Sequence, residues 1–170
     1  MFLTKEEIKK LIEEKRLVEN FINLDIQLTP NGFDLTVQKI FKFVLPGSID
    51  FSNKERVISE IEELLPQKKE EEKYGWWYLS RGAYKVRTNE ILNLPSDLVA
   101  IGFPRTSLLR SGVFVQNGVW DAGFSGRSEV ILVVENPFGV KIKENARLLQ
   151  IIFFKIKNTQ GYQGIYKNLR

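Results

Sequence analysis

The sequence predicts a mainly β fold, a barrel or jelly roll preceded by one or two short helices. Three observations carry that reading. From Trp76 onward, short apolar segments recur at regular spacing, separated by Gly, Pro and Asn. Phe33-Asp34-Leu35-Thr36-Val37 alternates apolar and polar residues, the signature of a strand with two unlike faces. Clear helical spacing is confined to the N-terminal part of the chain.

Thr4 to Leu17 reads as an amphipathic helix. Thr4 and Glu7 form a capping box, and Ile8, Leu11 and Ile12 share a face. The following segment reads as extended, up to the turn Thr29-Pro30-Asn31-Gly32. Phe33 to Val37 is a strand, with Asp34 on the face opposite Phe33, Leu35 and Val37. Phe41 to Val44 is a second strand, closed by Pro46-Gly47. Ser52 or Asn53 is placed to cap a short helix through Leu65, with Val57, Ile58, Ile61, Leu64 and Leu65 as its apolar positions. Gln67 to Lys73 is a charged surface connection. Strands are then expected near 76–80, 83–88, 98–103, 113–116, 129–135, 138–142 and 148–157.

The 170 residues contain no internal repeat and no linker, so one domain over 1–170 is expected. The net charge of +4 is uneven. Residues 141–170 hold seven basic side chains against Glu144, a net of +6 that leaves −2 for the rest. A solvated face is the ordinary explanation of such a bias. With no cysteine and no histidine, disulfides, thiolate chemistry, Ser-His-Asp catalysis and His-ligated zinc are all excluded. Any metal must rest on oxygen ligands, which points to magnesium. No apolar run reaches the length of a membrane span and the first residues do not read as a signal peptide, so a cytoplasmic protein is expected.

Pro104 to Gly126, PRTSLLRSGVFVQNGVWDAGFSG, carries the most chemistry. Arg105 with Thr106 and Ser107, followed by Arg110, supplies guanidinium and hydroxyl donors suited to phosphate oxygens. Asp121, in the turn Asp121-Ala122-Gly123, is a carboxylate able to activate a water. Together they suggest hydrolysis of a phosphorylated small molecule. Each residue also has a plainer role. Asp121 can satisfy its own turn, Arg105 can pair a structural carboxylate, Phe124 can be core, and Gln150 can bond between subunits.

Four segments in order resemble the deoxyuridine triphosphatase and deoxycytidine triphosphate deaminase superfamily. They are NGFDLTV (31–37), PRTSLLRSG (104–112), GVWDAGFSG (118–126) and Ala146-Arg147-Leu148-Leu149-Gln150-Ile151-Ile152. The N-terminal helix and YLSRGAYKVRTNEILNLP (78–95) are more like the deaminase branch and archaeal-type members. The resemblance implies a distorted β-barrel of jelly-roll type, assembled as a homotrimer with active sites between subunits. Triphosphatase members cut dUTP to dUMP and pyrophosphate with magnesium; deaminase members convert dCTP to dUTP without zinc; some do both.

By the same resemblance, Asp121 positions and activates the attacking water near the α-phosphorus. Asp34 faces the magnesium-bound triphosphate. Arg105, Thr106 and Ser107 hold phosphates, Arg110 contacts the nucleotide, and Gln150 is a further candidate for phosphate contact. Val115 to Trp120, with Asn117 and Gly118, forms a hairpin that reads the pyrimidine with main-chain groups. Phe124 packs under the deoxyribose, leaving no room for a 2′-hydroxyl. Residues 158–170 form a C-terminal arm in which Tyr162 meets the nucleotide, and Ile165 replaces the lysine of the deaminase tail. Lys167 and Arg170 are candidates to supply that cation.

The chain departs from the deaminase pattern where that branch carries a catalytic glutamate. The register falls on Ile131, with Leu132 and Val133 as neighbouring equivalents, and none is acidic. Glu129 and Glu135 flank the position, and strand periodicity puts Glu129 on the same face as Ile131. Without a carboxyl group there, deamination lacks its proton shuttle. The expectation is therefore a trimeric, magnesium-dependent dUTP diphosphatase. The alternatives are a dCTP deaminase or bifunctional enzyme using Glu129, and a non-catalytic nucleotide-binding barrel. Nucleic acid and membrane are not expected as partners.

Overall fold

A computed structural model describes residues 1–167. The chain runs α1 (Lys5–Lys15), β1 (Val18–Glu19), α2 (Leu24–Gln27), β2 (Leu28–Thr29), β3 (Gly32–Phe43), β4 (Ile61–Leu64), β5 (Trp76–Leu79), β6 (Gly82–Asn93), β7 (Leu98–Pro104), α3 (Thr106–Leu109), β8 (Val113–Gln116), β9 (Ser125–Val134), β10 (Val140–Lys143) and β11 (Arg147–Lys155). A nine-stranded antiparallel sheet has the order β7-β11-β3-β6-β9-β8, with β1 added to β6, and β2 and β4 added to β3. The loop after β8 returns to β7 through paired backbone bonds between Trp120 and Ala100, both 3.0 Å, which nearly closes the sheet into a barrel. β5 and β10 form a separate two-stranded sheet.

The core follows from strand alternation. Phe33, Leu35 and Val37 of β3, Val86 of β6, Leu132 and Val134 of β9, and Leu149, Ile151 and Phe153 of β11 are fully buried. Thr4 and Glu7 make the expected reciprocal capping box, and Ile8 and Ile12 bury the inner stripe of α1. No helix among the described residues is long and apolar enough to cross a membrane.

Three expectations are corrected. The segment before β2 is not simply extended: Asn23 caps the single turn of α2 by accepting from the Ile26 N–H at 3.0 Å. β3 runs unbroken to Phe43, so the two strands expected there are one. The expected helix through Leu65 is instead a hairpin-like excursion followed by the edge strand β4. Ser48 and Val57 exchange both backbone bonds, and Asn53 takes a left-handed φ of 61°. β4 then pairs Ile40 with Leu64 and Phe43 with Ile61, and Glu63 and Glu62 meet Lys39 and Lys42 at 2.8 and 2.9 Å. Over four residues, helical and alternating patterns coincide, and cross-strand ion pairs decide between them.

Candidate active site

The hairpin β8–β9 builds the first half of the site. Its ladder pairs Val113 with Val134 and ends at Gln116 opposite Ile131. The loop beyond holds Asn117 to Phe124. Trp120 is buried and donates its indole N–H to Ser128 Oγ at 2.9 Å, which pins the loop to β9. Asn117 donates to the Gly118 carbonyl at 3.0 Å. Nothing lies within 4 Å of where a Gly118 Cβ would stand, so its backbone is bare to solvent. Gly123 has φ of 78°, and a Cβ there would sit 2.7 Å from the Gly161 Cα. This turn therefore requires glycine for its conformation and for the close approach of the C-terminal arm.

A cavity of about 340 Å³ opens against this loop. Asp121 lines it, with an exposed side chain, beside Gly118, Trp120 and the buried ring of Phe124. Tyr162 and Tyr166 of the arm complete one wall. The Tyr162 N–H donates to the Ala122 carbonyl at 2.8 Å, and its ring centroid lies 5.9 Å from that of Phe124. Lys85, Arg127, Ser128 and Glu129 line the floor. Of these, Lys85, Arg127 and Ser128 were not picked out from sequence. Lys85 falls inside the quoted 78–95 segment but was given no role there, and Arg127 lies one residue beyond the GVWDAGFSG segment. Arg170 lies outside the described residues, so its candidate role has no structural counterpart here.

Glu129 is brought to the cavity, but both oxygens are committed. One accepts from Lys85 Nζ at 2.7 Å, the other from Arg87 Nε and Nη2 at 3.2 and 3.1 Å. Ile131 is partly exposed and lines a neighbouring cavity with Gln116, Asn117 and Gly118. An apolar side chain thus occupies the strand position at which the resemblance to the deaminase branch would place an acid.

The second half of the site lies on β3, β7 and β11. Asp34 stands opposite Gln150 in the β3–β11 ladder, and Gln150 stands opposite Phe103 of β7. The Asp34 side chain is 3% exposed and contacts Arg105 Nε at 3.1 Å and Arg147 Nη1 at 3.2 Å. Burial pushes its carboxyl above the usual range, against the pull of the two guanidinium groups. Thr106 and Ser107 open α3 with exposed side chains, and Arg110 closes it, also exposed. Gln150 donates to Thr29 Oγ1. Arg147, absent from the expected set, was legible only as part of a quoted segment.

Asp34 was expected to face the magnesium-bound triphosphate. Its carboxylate meets two arginines, and no group of three or more His, Cys, Asp or Glu able to hold a metal ion occurs among the described residues. This donor set does not fit a resident divalent cation. It fits an anion: two half-buried guanidinium groups oriented by one carboxylate, beside two hydroxyls. None of Asp34, Arg105, Thr106, Ser107, Arg110 or Gln150 lines the Asp121 cavity. The two groups of residues therefore form separate clusters on the chain.

The model of the dCTP deaminase-like family matches residues 2–156. The chain belongs to that family. It is 43% identical over 169 residues to a probable deoxyuridine 5′-triphosphate nucleotidohydrolase of Methanosarcina mazei, covering 98% of this chain and 96% of that one. It is 40% identical over 166 residues to the protein of the same name from Archaeoglobus fulgidus, covering 97% and 95%. A deoxyuridine 5′-triphosphate nucleotidohydrolase of Methanocaldococcus jannaschii is 37% identical over 142 residues, 83% of this chain and 87% of that one. Among solved structures, the 2′-deoxycytidine 5′-triphosphate deaminase of Agrobacterium tumefaciens superposes with a TM-score of 0.65 at 21% identity, over 89% of this chain. The present chain spans 47% of that protein's length, and the likeness places this dCTP deaminase-like member in the same fold.

Proposed function

We propose that this member of the family is a dUTP diphosphatase, hydrolysing dUTP to dUMP and pyrophosphate. The observation that carries the reading is the pairing of an exposed Asp121 with an apolar Ile131 around the 117–124 loop. The cavity offers a carboxylate for activating water and no free acid for deaminating a base. The names of its full-length archaeal relatives support the same substrate.

In this mechanism the main-chain groups of the loop bind uracil, and Phe124 packs under the deoxyribose. Asp121 orients a water and accepts its proton as the oxygen attacks the α-phosphorus. The bond from that phosphorus to the bridging oxygen breaks, and its electron pair leaves with pyrophosphate. Arg105, Thr106, Ser107 and Gln150 hold the phosphate oxygens, with Arg110 contacting the nucleotide. The substrate in this reading is the magnesium complex of dUTP, since the described residues offer no cage for the ion. The separation of the two half-sites supports assembly as a homotrimer in which neighbouring copies complete each site.

The test is a product assay with dUTP and dCTP in parallel, on the wild type and Asp121→Asn. dUMP and pyrophosphate are expected from dUTP alone, with the variant slowed by about 10²–10⁴-fold, the usual contribution of a general base. Ammonia released from dCTP would overturn the proposal and direct attention to Glu129→Gln. Turnover of neither nucleotide would leave a nucleotide-binding barrel.

A further inference from the structure

Behind the anion half-site lies a buried polar network that the mechanism does not use. Glu90 of β6 is fully buried. Its Oε1 accepts from Gln27 Nε2 at 2.7 Å and from Thr36 Oγ1 at 2.6 Å, and its Oε2 accepts from the Thr36 N–H at 2.9 Å. Gln27, at the end of α2, is equally buried. Its Nε2 also donates to the Asp34 carbonyl at 2.8 Å, and its Oε1 accepts from the Ile22 and Asn23 N–H groups at 2.7 and 2.9 Å. Both donors and both acceptor sites of one amide are filled.

The network stands where the ladder fails. Pairing of β3 with β6 ends at Val37 opposite Thr88, so Thr36 takes its acceptor from a side chain. On the other edge of β3, the register with β11 shifts between Arg147 and Leu149. A buried carboxylate is a poor stabiliser compared with apolar packing, so its placement needs another reason. The reason is adjacent. Gln27 holds the backbone of Asp34, whose carboxylate aims Arg105 and Arg147. Arg147 Nη1 also donates to the Ile26 carbonyl at 2.9 Å, the residue before Gln27. The hydrogen bonds thus run from Glu90 through Gln27 to both arginine anchors. Arg105 meets Asp34 through Nε, which leaves its two Nη groups unengaged among the described residues.

We propose that Gln27 and Glu90 are positioning residues for the phosphate half-site: they fix α2 and β3 so that Asp34 holds Arg105 and Arg147 ready for the polyphosphate of the substrate. This rests on the dUTP diphosphatase reading, and the network acts on phosphate affinity rather than on Asp121. A group that only holds the fold would weaken every property of the protein alike.

The test compares wild type, Gln27→Leu and the milder Glu90→Gln, each first shown to be folded by circular dichroism. KM for dUTP and Ki for inorganic pyrophosphate are expected to rise together, by about tenfold in Gln27→Leu, as expected when a positioned charge-assisted contact is loosened. kcat is expected to stay within about twofold, and Ki for deoxyuridine, which has no phosphate, to stay unchanged. Parallel weakening of deoxyuridine and pyrophosphate, a fall in kcat at constant KM, or unchanged constants in both variants would each overturn the proposal. Calorimetric titration of pyrophosphate into the same proteins separates this result from the parent reading. If dUTP is not turned over at all, weaker pyrophosphate binding in Gln27→Leu still supports the positioning role, and equal binding refutes it.

Discussion

Glu90 is a carboxylate without access to water, and burial raises its pKa above the ordinary 4.5 despite the donors of Thr36 and Gln27. The sign of the consequence follows from linkage. A carboxyl whose pKa is higher in the folded state favours folding while it is protonated. That contribution is complete below the unfolded value and is lost as pH rises through the higher folded value. Glu90→Gln keeps the shape and removes the titration. The stability of the wild type relative to Glu90→Gln should therefore fall as pH rises above the ordinary 4.5, read by urea unfolding at a series of pH values. Parallel curves would mean that Glu90 titrates alike in both states. Asp34 remains in both proteins, so its own raised pKa cancels in the difference. The residue was partly legible in the sequence. Alternation along Tyr84, Val86, Thr88 and Glu90 puts a glutamate on a buried face, a contradiction that only a hydrogen-bonded partner resolves. The partner, Gln27, left no such mark, because it arrives from a segment that reads as extended.

Among the elements, legibility tracked the length of the pattern. α1 announced both its start and its stripe. Thr4→Ala should cost about 1 kcal/mol, the usual value of an N-cap, as a lowered urea midpoint at unchanged slope. The long strands β6 and β9 were expected at 83–88 and 129–135, but β6 runs on to Asn93 and β9 begins at Ser125. The excursion between β3 and β4 misled because several apolar residues of the expected helix, Val57, Ile58 and Leu65, are exposed and so follow no core period. The arm was legible as a tail, while its docking was not. Its contact with Ala122 and Gly123 depends on a backbone approach that only the structure displays. Gly123→Ala should strain a turn with φ of 78° and push Gly161 away from its seat. The expected outcome is faster proteolytic cleavage of residues beyond 156 and a KM for dUTP raised about tenfold, the scale of one lost well-placed contact. Unchanged cleavage would show that the arm does not depend on this seat.

At the scale of the whole molecule, the chemistry is split across the sheet. Asp121, Phe124 and the bare loop backbone face one cavity, whereas Arg105, Arg147 and Gln150 cluster around Asp34, outside it. On the proposed mechanism, water activation and phosphate binding act on one substrate, so a chain that separates them calls for a second copy to reunite them. Closed cyclic symmetry supplies this at every site at once, since the same two surfaces meet around the ring. The assembled protein should have a mass three times the 19.7 kDa of the chain by light scattering. A sharper consequence concerns mixed assemblies. Asp121→Asn and Arg105→Ala should each be inactive alone. When equal amounts are unfolded together and refolded, half of the sites take Asp121 from a competent copy. Half of those meet an intact Arg105 on the neighbouring copy, so about a quarter of wild-type activity should return. If both groups served the same site from one chain, every site in the mixture would lack one of them, and mixing would restore nothing.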